Sequence, residues 1–268
     1  MKQHWAAAAL ACGILATPAF AGLHYTSETR NETPQGRGQT MHAEGWVDGA
    51  NAKIVFTESS NPIMAQGDYL LTQDGGKTVI LVDPKEKTYA PFDFTAMAQF
   101  AGAMMRGLGP MMKMSFSNQK IEKLLEEPGG AVHGYPTTHY RFKTSYDSEI
   151  KVMGMGQTMH NERVSDTWTT TAIGDAGLAV WLRREPPKTG IEDLDKMIEA
   201  EMKKGITGVP LKMTAETTMT DKRGRESRSS MSMQVTTIEK AAVPAATFAV
   251  PAGYKETQLA PMGEREEH

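Results

Sequence analysis

The chain has 268 residues, of which 40% are hydrophobic and 23% are charged, and its formal net charge is −3. This balance lacks the basic excess of a nucleic-acid-binding protein, and the single cysteine excludes a disulfide within the chain. The unusual number is nineteen methionines, because methionine is an unbranched, polarisable side chain that adapts to irregular apolar shapes.

Residues 1–21 have the three parts of a cleavable signal peptide. Lys2 supplies the positive start, an apolar run follows from Trp5 to Ala16, and Ala19-Phe20-Ala21 presents small residues to a signal peptidase. The run has about 12 residues, whereas a helix needs ~20 to span a bilayer. We therefore expect an exported protein of the periplasm, cleaved after Ala21.

Cys12 supports an alternative to simple cleavage. Leu10-Ala11-Cys12-Gly13 resembles the cleavage box of lipoproteins, which would leave a lipid anchor on Cys12. Release outside the cell is a further alternative. If cleavage follows Ala21, the mature protein has no cysteine, and so neither a thiol nucleophile nor a thiolate metal ligand.

Two-residue alternation predicts β-strands over the first third of the chain. Asp48-Gly49 and Asp74-Gly75-Gly76 are good turn formers and close two predicted hairpins. The predicted strands are residues 23–31, 40–47, 52–59, 68–73 and 77–82, with a short strand at Lys87-Thr88-Tyr89.

The period changes to that of a helix over residues 93–108. One face of this predicted helix carries Phe94, Met97, Phe100, Met104 and Met105. Gly107 and Pro110 end it, because glycine and proline are poor helix formers.

Alternation returns in the second half and predicts strands at residues 111–125, 135–146, 149–159 and 162–171. Helices are predicted at 175–184 and 190–204. The last elements are a long hairpin of residues 209–220 and 226–238, a closing segment at 247–254, and a charged, disordered tail at 258–268.

These elements predict a mostly β protein of the α+β class. We expect one strongly curved antiparallel sheet of about nine to eleven strands, with two or three helices packed on its concave side. No change in composition divides the chain, so residues 22–257 are expected to form a single domain.

Two segments carry a resemblance to a known family. They are Gly208 to Lys212 (GVPLK) and Phe248 to Glu256 (FAVPAGYKE). With the order of the elements, they resemble an uncharacterised family of exported bacterial proteins, a domain of unknown function, which is in turn similar to the lipoprotein-localisation carriers of the LolA/LolB type. The resemblance covers about residues 23–256 and implies a half-barrel around a hydrophobic cavity, with helices as a lid. In the carriers, that cavity holds the acyl chains of a lipoprotein.

The residues that common enzymes need are missing from the sequence. There is no G-x-S-x-G elbow, no phosphate-binding loop and no H-E-x-x-H motif. Glu126-Glu127 is a carboxylate pair, but Pro128-Gly129-Gly130 follows it and favours a solvated loop. We therefore expect a protein that is not an enzyme and needs no cofactor.

The methionines predict a groove for an apolar ligand, such as a lipid or a lipoprotein acyl chain. The alternative at each position is an ordinary core residue. We expect a monomer whose other partner is a transient one in the cell envelope. The predicted groove residues are Met97, Met104, Met105, Met153, Met155, Trp168, Met213, Met219, Met231 and Met233.

Two other functions fit parts of the sequence. Met153, Met155, Met159 and His160 resemble the thioether and imidazole clusters that bind cuprous ion in periplasmic proteins. A regular strand would keep them apart and would point His160 away from Met159. The other alternative is a structural envelope protein with a filled core and no ligand.

Overall fold

The structure, a computed structural model, describes residues 22–34, 38–61, 64–107, 112–153, 155–173, 186 and 188–258. The predicted signal peptide, the predicted helix at 175–184 and nearly all of the predicted tail lie outside the described residues.

A single curved and unclosed sheet makes up most of the described chain. Its strands are β1 (Gly22–Glu32), β2 (Gly38–Asp48), β3 (Asn51–Ser59), β4 (Tyr69–Thr72), β5 (Ile80–Asp83), β6 (Thr88–Pro91), β7 (Met112–Val132), β8 (Tyr135–Val152), β9 (Met155–Thr170), β10 (Val209–Asp221), β11 (Glu226–Ala241) and β12 (Lys255–Glu256). The mostly β class and the curved sheet are confirmed.

The order of strands across the sheet is β12-β6-β5-β4-β3-β2-β1-β11-β10-β9-β8-β7. Neighbouring strands are antiparallel, except that β12 runs parallel to β6. The sheet is continuous because β1 pairs with β11, so that Tyr25 lies opposite Ile238. Strands from both ends of the chain therefore meet in the middle of the sheet.

The predicted count of nine to eleven strands is too low, since the sheet has twelve. Several predicted boundaries are also wrong. Residues 135–171 form two long strands and not the predicted three. The predicted breaks at Asp147 and His160 lie inside β8 and β9, where these two residues are opposite each other and hydrogen-bonded at 2.7 Å. The turn between β8 and β9 is at Met153, whose φ is 50°. In β7, bulges carry the strand through the loop that is predicted at Pro128-Gly129-Gly130.

Two α-helices accompany the sheet, within the two or three that the sequence predicts: α1 (Phe94–Gly107) and α2 (Glu192–Met202). Helix α2 packs beside β7 and β8, where Gln119 Nε2 donates to the Met197 carbonyl at 3.2 Å and the Thr144 hydroxyl donates to Glu201 at 2.7 Å. A short 3-10 helix spans Ala245–Phe248. Among the described residues, neither helix is long and apolar enough to cross a bilayer.

The buried core lies on one face of the sheet, which we call the inner face. Directly opposed residues of neighbouring strands project to the same side, so the register assigns each side chain to a face. Helix α2 packs on this same face, against Thr144. The core residues there include Tyr25, Ala43, Val47, Ile54, Phe56, Leu70, Leu81, Phe92, Leu211 and Val235.

The outer face carries a smaller apolar cluster of Tyr69, Leu71 and Val82, to which the closing segment adds Val250 and Tyr254. Burial, and then the neighbouring Tyr254, raises the pKa of Tyr69 to about 12. The FAVPAGY segment therefore covers the outer side of the sheet.

Substitution of Gly45 on β2 tests how tightly the core is packed. The Tyr25 ring lies against Gly45 so closely that an added Cβ would overlap it. We expect Gly45→Ala to lower the free energy of unfolding by about 1–3 kcal/mol, the usual cost of overpacking. Chemical denaturation measures this. Gly38→Ala on the same strand is the control, because its Cβ would meet only the Asn31 carbonyl oxygen, at 3.9 Å. Equal losses in both variants would contradict the prediction.

Candidate functional site

The long hairpin of β10 and β11 brings predicted groove residues together on the inner face. Met213 lies directly opposite Met233, and Met231 lies opposite Ala215. Directly opposed Cβ atoms are ~4.5–5.5 Å apart, so these side chains are in reach of one another. Met219 lies on the same face, opposite Asn161 of β9.

Two more methionines join this face from neighbouring strands. Met41 of β2 and Met233 of β11 both lie opposite Thr29 of β1, which separates them. Met159 of β9 lies opposite Asp221 of β10. We call the whole set the methionine band: Met41, Met159, Met213, Met219, Met231 and Met233.

The methionine band is not part of the closed core. None of its six side chains is fully buried, and all are half-buried. The fully buried hydrophobic residues among the described part of the chain are aliphatic, alanine and aromatic, without a methionine. The band therefore adjoins the core, against which Met41 packs, and it remains partly open, with polar side chains such as Thr217 and Ser229 between its methionines.

The sides of the band are formed by different structures. On one side lies the core of β1 to β6. On the other side, Tyr140 and Phe142 are buried on the inner face of β8, and Lys204, just after α2, places its Nζ 5.2 Å from the Phe142 ring centroid. An open pocket of about 560 Å³ is lined by α1, at Ala96 and Ala103, and by Lys188 to Gly190 before α2.

Arg163 is the cationic side chain of β9 on the inner face. It lies opposite Thr217 of β10 and Thr144 of β8 and is half-buried. It forms no ion pair with any described residue. The sequence predictions do not include Arg163 or Met41. Alternation along β2 nevertheless places Met41 on the same face as the buried Ala43 and Val47.

Three of the predicted groove residues, Met153, Met155 and Met97, lie apart from the band. Met153 and Met155 are 72% and 77% exposed at the β8–β9 turn. Met97 of α1 packs against the core. Met104 and Met105 lie in α1, but their side chains are outside the described part of the structure.

Trp168 is the predicted groove residue that the structure places on the other face of the sheet. Its two neighbours, Thr167 and Thr169, take the inner face, where they are 6% and 2% exposed. Trp168 therefore lies on the outer face, stacked on His139 with ring centroids 4.2 Å apart. Lys212 Nζ lies 4.5 Å from its ring centroid on the neighbouring strand.

An ion-pair network adjoins Trp168 on the outer face. Asp166 accepts two bonds from the Arg141 guanidinium, at 2.8 and 3.1 Å, and one from His139 Nε2 at 2.6 Å. Burial alone would raise the pKa of Asp166, but the hydrogen bonds from Arg141 and His139 outweigh it and hold the pKa below its usual range.

The network predicts how stability depends on pH. A carboxylate with a depressed pKa stabilises the fold above its unfolded pKa of about 3.9, and this stabilisation is lost as the pH falls through the folded value. We expect Asp166→Asn to cost about 1–3 kcal/mol at neutral pH and to lose stability less steeply than the native chain in acid. Urea denaturation from neutral to acid pH measures both effects. Glu127→Gln, which alters an exposed carboxylate 3.9 Å from His139, is expected to change little. Parallel curves for Asp166→Asn and the native chain would contradict this role.

The structure does not bring the predicted copper ligands together. Met155 and Met159 share one face of β9, but four residues of strand place them ~13 Å apart. His160 lies on the opposite face and is hydrogen-bonded to Asp147. Among the described residues, no three His, Cys, Asp or Glu side chains form a group that could hold a metal.

Comparison with known proteins identifies the family. Residues 47–254 match the family described as a domain of unknown function, DUF4412, and the chain belongs to it. This confirms the predicted resemblance to an uncharacterised family. No curated protein sequence matches the chain.

Two solved structures align with most of this chain. An uncharacterised conserved protein from Thermus thermophilus aligns over 90% of this chain and 91% of its own, with 7% identity and a TM-score of 0.35. A LolA superfamily protein from Nitrosomonas europaea aligns over 86% of this chain and 91% of its own, with 10% identity and a TM-score of 0.32. What the site can bind follows from this chain's own residues.

Proposed function

We propose that this protein is an exported, non-enzymatic binding protein for a lipid or a lipoprotein acyl chain. The observation that supports this proposal is the methionine band: six methionines on the inner face of four strands, all half-buried and none in the closed core. Each methylene removed from water contributes about 0.8 kcal/mol, so an open apolar surface of this kind favours a long alkyl ligand.

The side chains of the band suit an acyl chain more than a rigid ligand. Methionine has three rotatable bonds and a polarisable sulfur, so it can follow the bends of a flexible chain. Apolar ligand sites also contain a few placed polar groups that fix orientation. Arg163 supplies such a group on the same face, and we propose that it binds the anionic group of a free fatty acid or an anionic lipid.

The test of the proposed function is native mass spectrometry of the protein purified from its own cell envelope. The expected result is a bound mass that dissociates as a lipid or an acylated peptide. In solution, the purified protein is expected to bind a dansyl-labelled fatty acid with enhanced fluorescence. A polypeptide mass alone, together with no dansyl binding after delipidation, would overturn the proposal.

Arg163→Gln tests the polar end of the site. We expect it to weaken binding of the dansyl fatty acid about tenfold, the cost of one charge-assisted hydrogen bond, and to leave binding of the corresponding uncharged methyl ester unchanged. Fluorescence titration measures both. Lys143→Gln is the control, because Lys143 is a cation on the neighbouring strand β8 that pairs with Glu162 on the outer face. Equal effects on acid and ester would contradict an ionic role for Arg163.

A further inference from the structure

The turn between β8 and β9 exposes an unusual amount of apolar surface. Val152, Met153 and Met155 are 46%, 72% and 77% exposed, so most of the large exposed hydrophobic residues in the described part of the chain are at this turn. Leu124 and Ile206 are the others, and they lie elsewhere. We call Val152, Met153 and Met155 the apolar tip.

The backbone of the apolar tip gives a second indication. Met153 has a φ of 50°, in the left-handed region where glycine, asparagine and aspartate are usual. The turn therefore places a large apolar side chain in solvent at a position where local sterics favour glycine. Packing does not explain this choice, because Met153 is almost fully exposed.

Met155 of the tip lies on the same face of the sheet as the methionine band. Met155 and Met159 share the inner face of β9, because they are four positions apart on a regular strand. On the neighbouring strands, Met114 lies opposite Ile150 on the same face, and both are half-buried. Met155, Ile150 and Met114 therefore extend the tip along the inner face towards Met159 of the band, with Gln157 between Met155 and Met159.

The same end of the sheet carries a basic turn. The β10–β11 turn presents Lys222 and Arg223, which are exposed and form no ion pair with any described residue, whereas Arg225 is paired with Asp221. Asp221 lies opposite Met159, and β9 continues four residues, ~13 Å, beyond that point to Met155. The apolar tip therefore extends beyond the base of the basic turn on the same end of the molecule.

We propose that this end of the sheet docks on the surface of an anionic lipid bilayer. Met153 and Met155 enter the boundary between headgroups and acyl chains, and Lys222 and Arg223 bind the anionic headgroups. Interfacial segments of peripheral proteins combine these two properties, apolar side chains that insert and basic ones that face the headgroups. A lipid can then pass between bilayer and band along the inner face.

The test is sedimentation of the full chain with lipid vesicles. The protein is expected to bind phosphatidylcholine vesicles that contain phosphatidylglycerol, to bind pure phosphatidylcholine vesicles much more weakly, and to be released by salt. Met153→Ser with Met155→Ser is expected to reduce binding at least about tenfold. The matched control is Leu124→Ser, an exposed apolar residue away from the tip.

Charge reversal tests the basic turn separately. Lys222→Glu with Arg223→Glu is expected to reduce binding to anionic vesicles about tenfold or more, since each basic residue contributes about fivefold. Lys77→Glu with Lys240→Glu, two exposed lysines at the opposite end of the sheet, is the control. The docking proposal would be overturned if the native chain failed to bind anionic vesicles or bound both vesicle types equally. It would also be overturned by unchanged binding of the Met153→Ser, Met155→Ser variant, and that result would favour a protein as the partner of the tip.

The docking test is distinct from the test of ligand binding. The tip variants are expected to bind the dansyl fatty acid in solution as the native chain does, because Met153 and Met155 lie outside the methionine band. A chain that docks on vesicles but binds no fatty acid would overturn the proposed function alone. A chain that binds fatty acid but ignores vesicles would overturn only the docking.

Discussion

Replacement of both Met213 and Met233 by glutamate is expected to abolish binding of the dansyl fatty acid while the chain still folds. The two side chains lie opposite each other in the middle of the methionine band and are half-buried, so two carboxylates there can remain hydrated in the free protein. A bound alkyl chain would remove water from them, at a cost of several kcal/mol for each charge. The expected loss of affinity is therefore at least about a hundredfold.

Two control variants make this result specific. Met213→Leu with Met233→Leu conserves volume and polarity, and we expect it to bind within a few-fold of the native chain. Met153→Glu with Met155→Glu introduces the same charges at the apolar tip and is expected to leave fatty-acid binding unchanged. Circular dichroism and thermal melting check that each variant is folded. If the band glutamate variant binds as the native chain does, the band is not the ligand site.

Phe56→Ala is expected to lower the free energy of unfolding by about 3–5 kcal/mol, the range for deletion of a buried aromatic ring. Phe56 is 0% exposed and lies on the inner face of β3, opposite Ala43. The ring packs in the core cluster that fills this half of the sheet. Removal leaves a cavity that neighbouring strands can close only in part, because each is held by its own ladder of hydrogen bonds. Urea denaturation measures the loss.

Met233→Ala is the matched comparison. The side chain lies on the same inner face but is half-buried, so its truncation is expected to cost less than half as much as Phe56→Ala. This difference separates a closed core from an open apolar surface. Similar losses in the two variants would show that the band is core, and would support a structural protein with no ligand.

The β10–β11 hairpin is the part of the site that the sequence predicts well. Asp221 to Arg225 marks the turn, and alternation on both arms then fixes which residues are opposed. Met213, Met231 and Met233 are therefore assigned to one face by local information alone. Trp168 shows the limit of that reasoning. The two-residue period of a strand places Trp168 on the opposite face from Thr167 and Thr169. The threonines are the buried residues here, so assigning the more hydrophobic residue to the inner face gives the wrong result.

Other features depend on pairings that have no local signal. Met41 joins the band only because β1 lies between β2 and β11. Asn161 reads as a turn residue in the sequence, yet it is 4% exposed and its amide donates to the Ser148 hydroxyl at 2.9 Å. A cross-strand partner satisfies this polar side chain, and such partners become visible only when the register is known.

The pairing of β1 with β11 also has a consequence for how the chain folds. His24 and Glu239, which bond across this pair, are 215 positions apart, and contacts of such long range slow folding because a large loop must close first. Until β11 is synthesised, β1 to β6 and β7 to β9 can form only as separate sheets with unpaired edges. The binding surface, which spans the junction, therefore comes into existence only as the last third of the chain folds. A chain truncated before β10 could retain much secondary structure and still have no site.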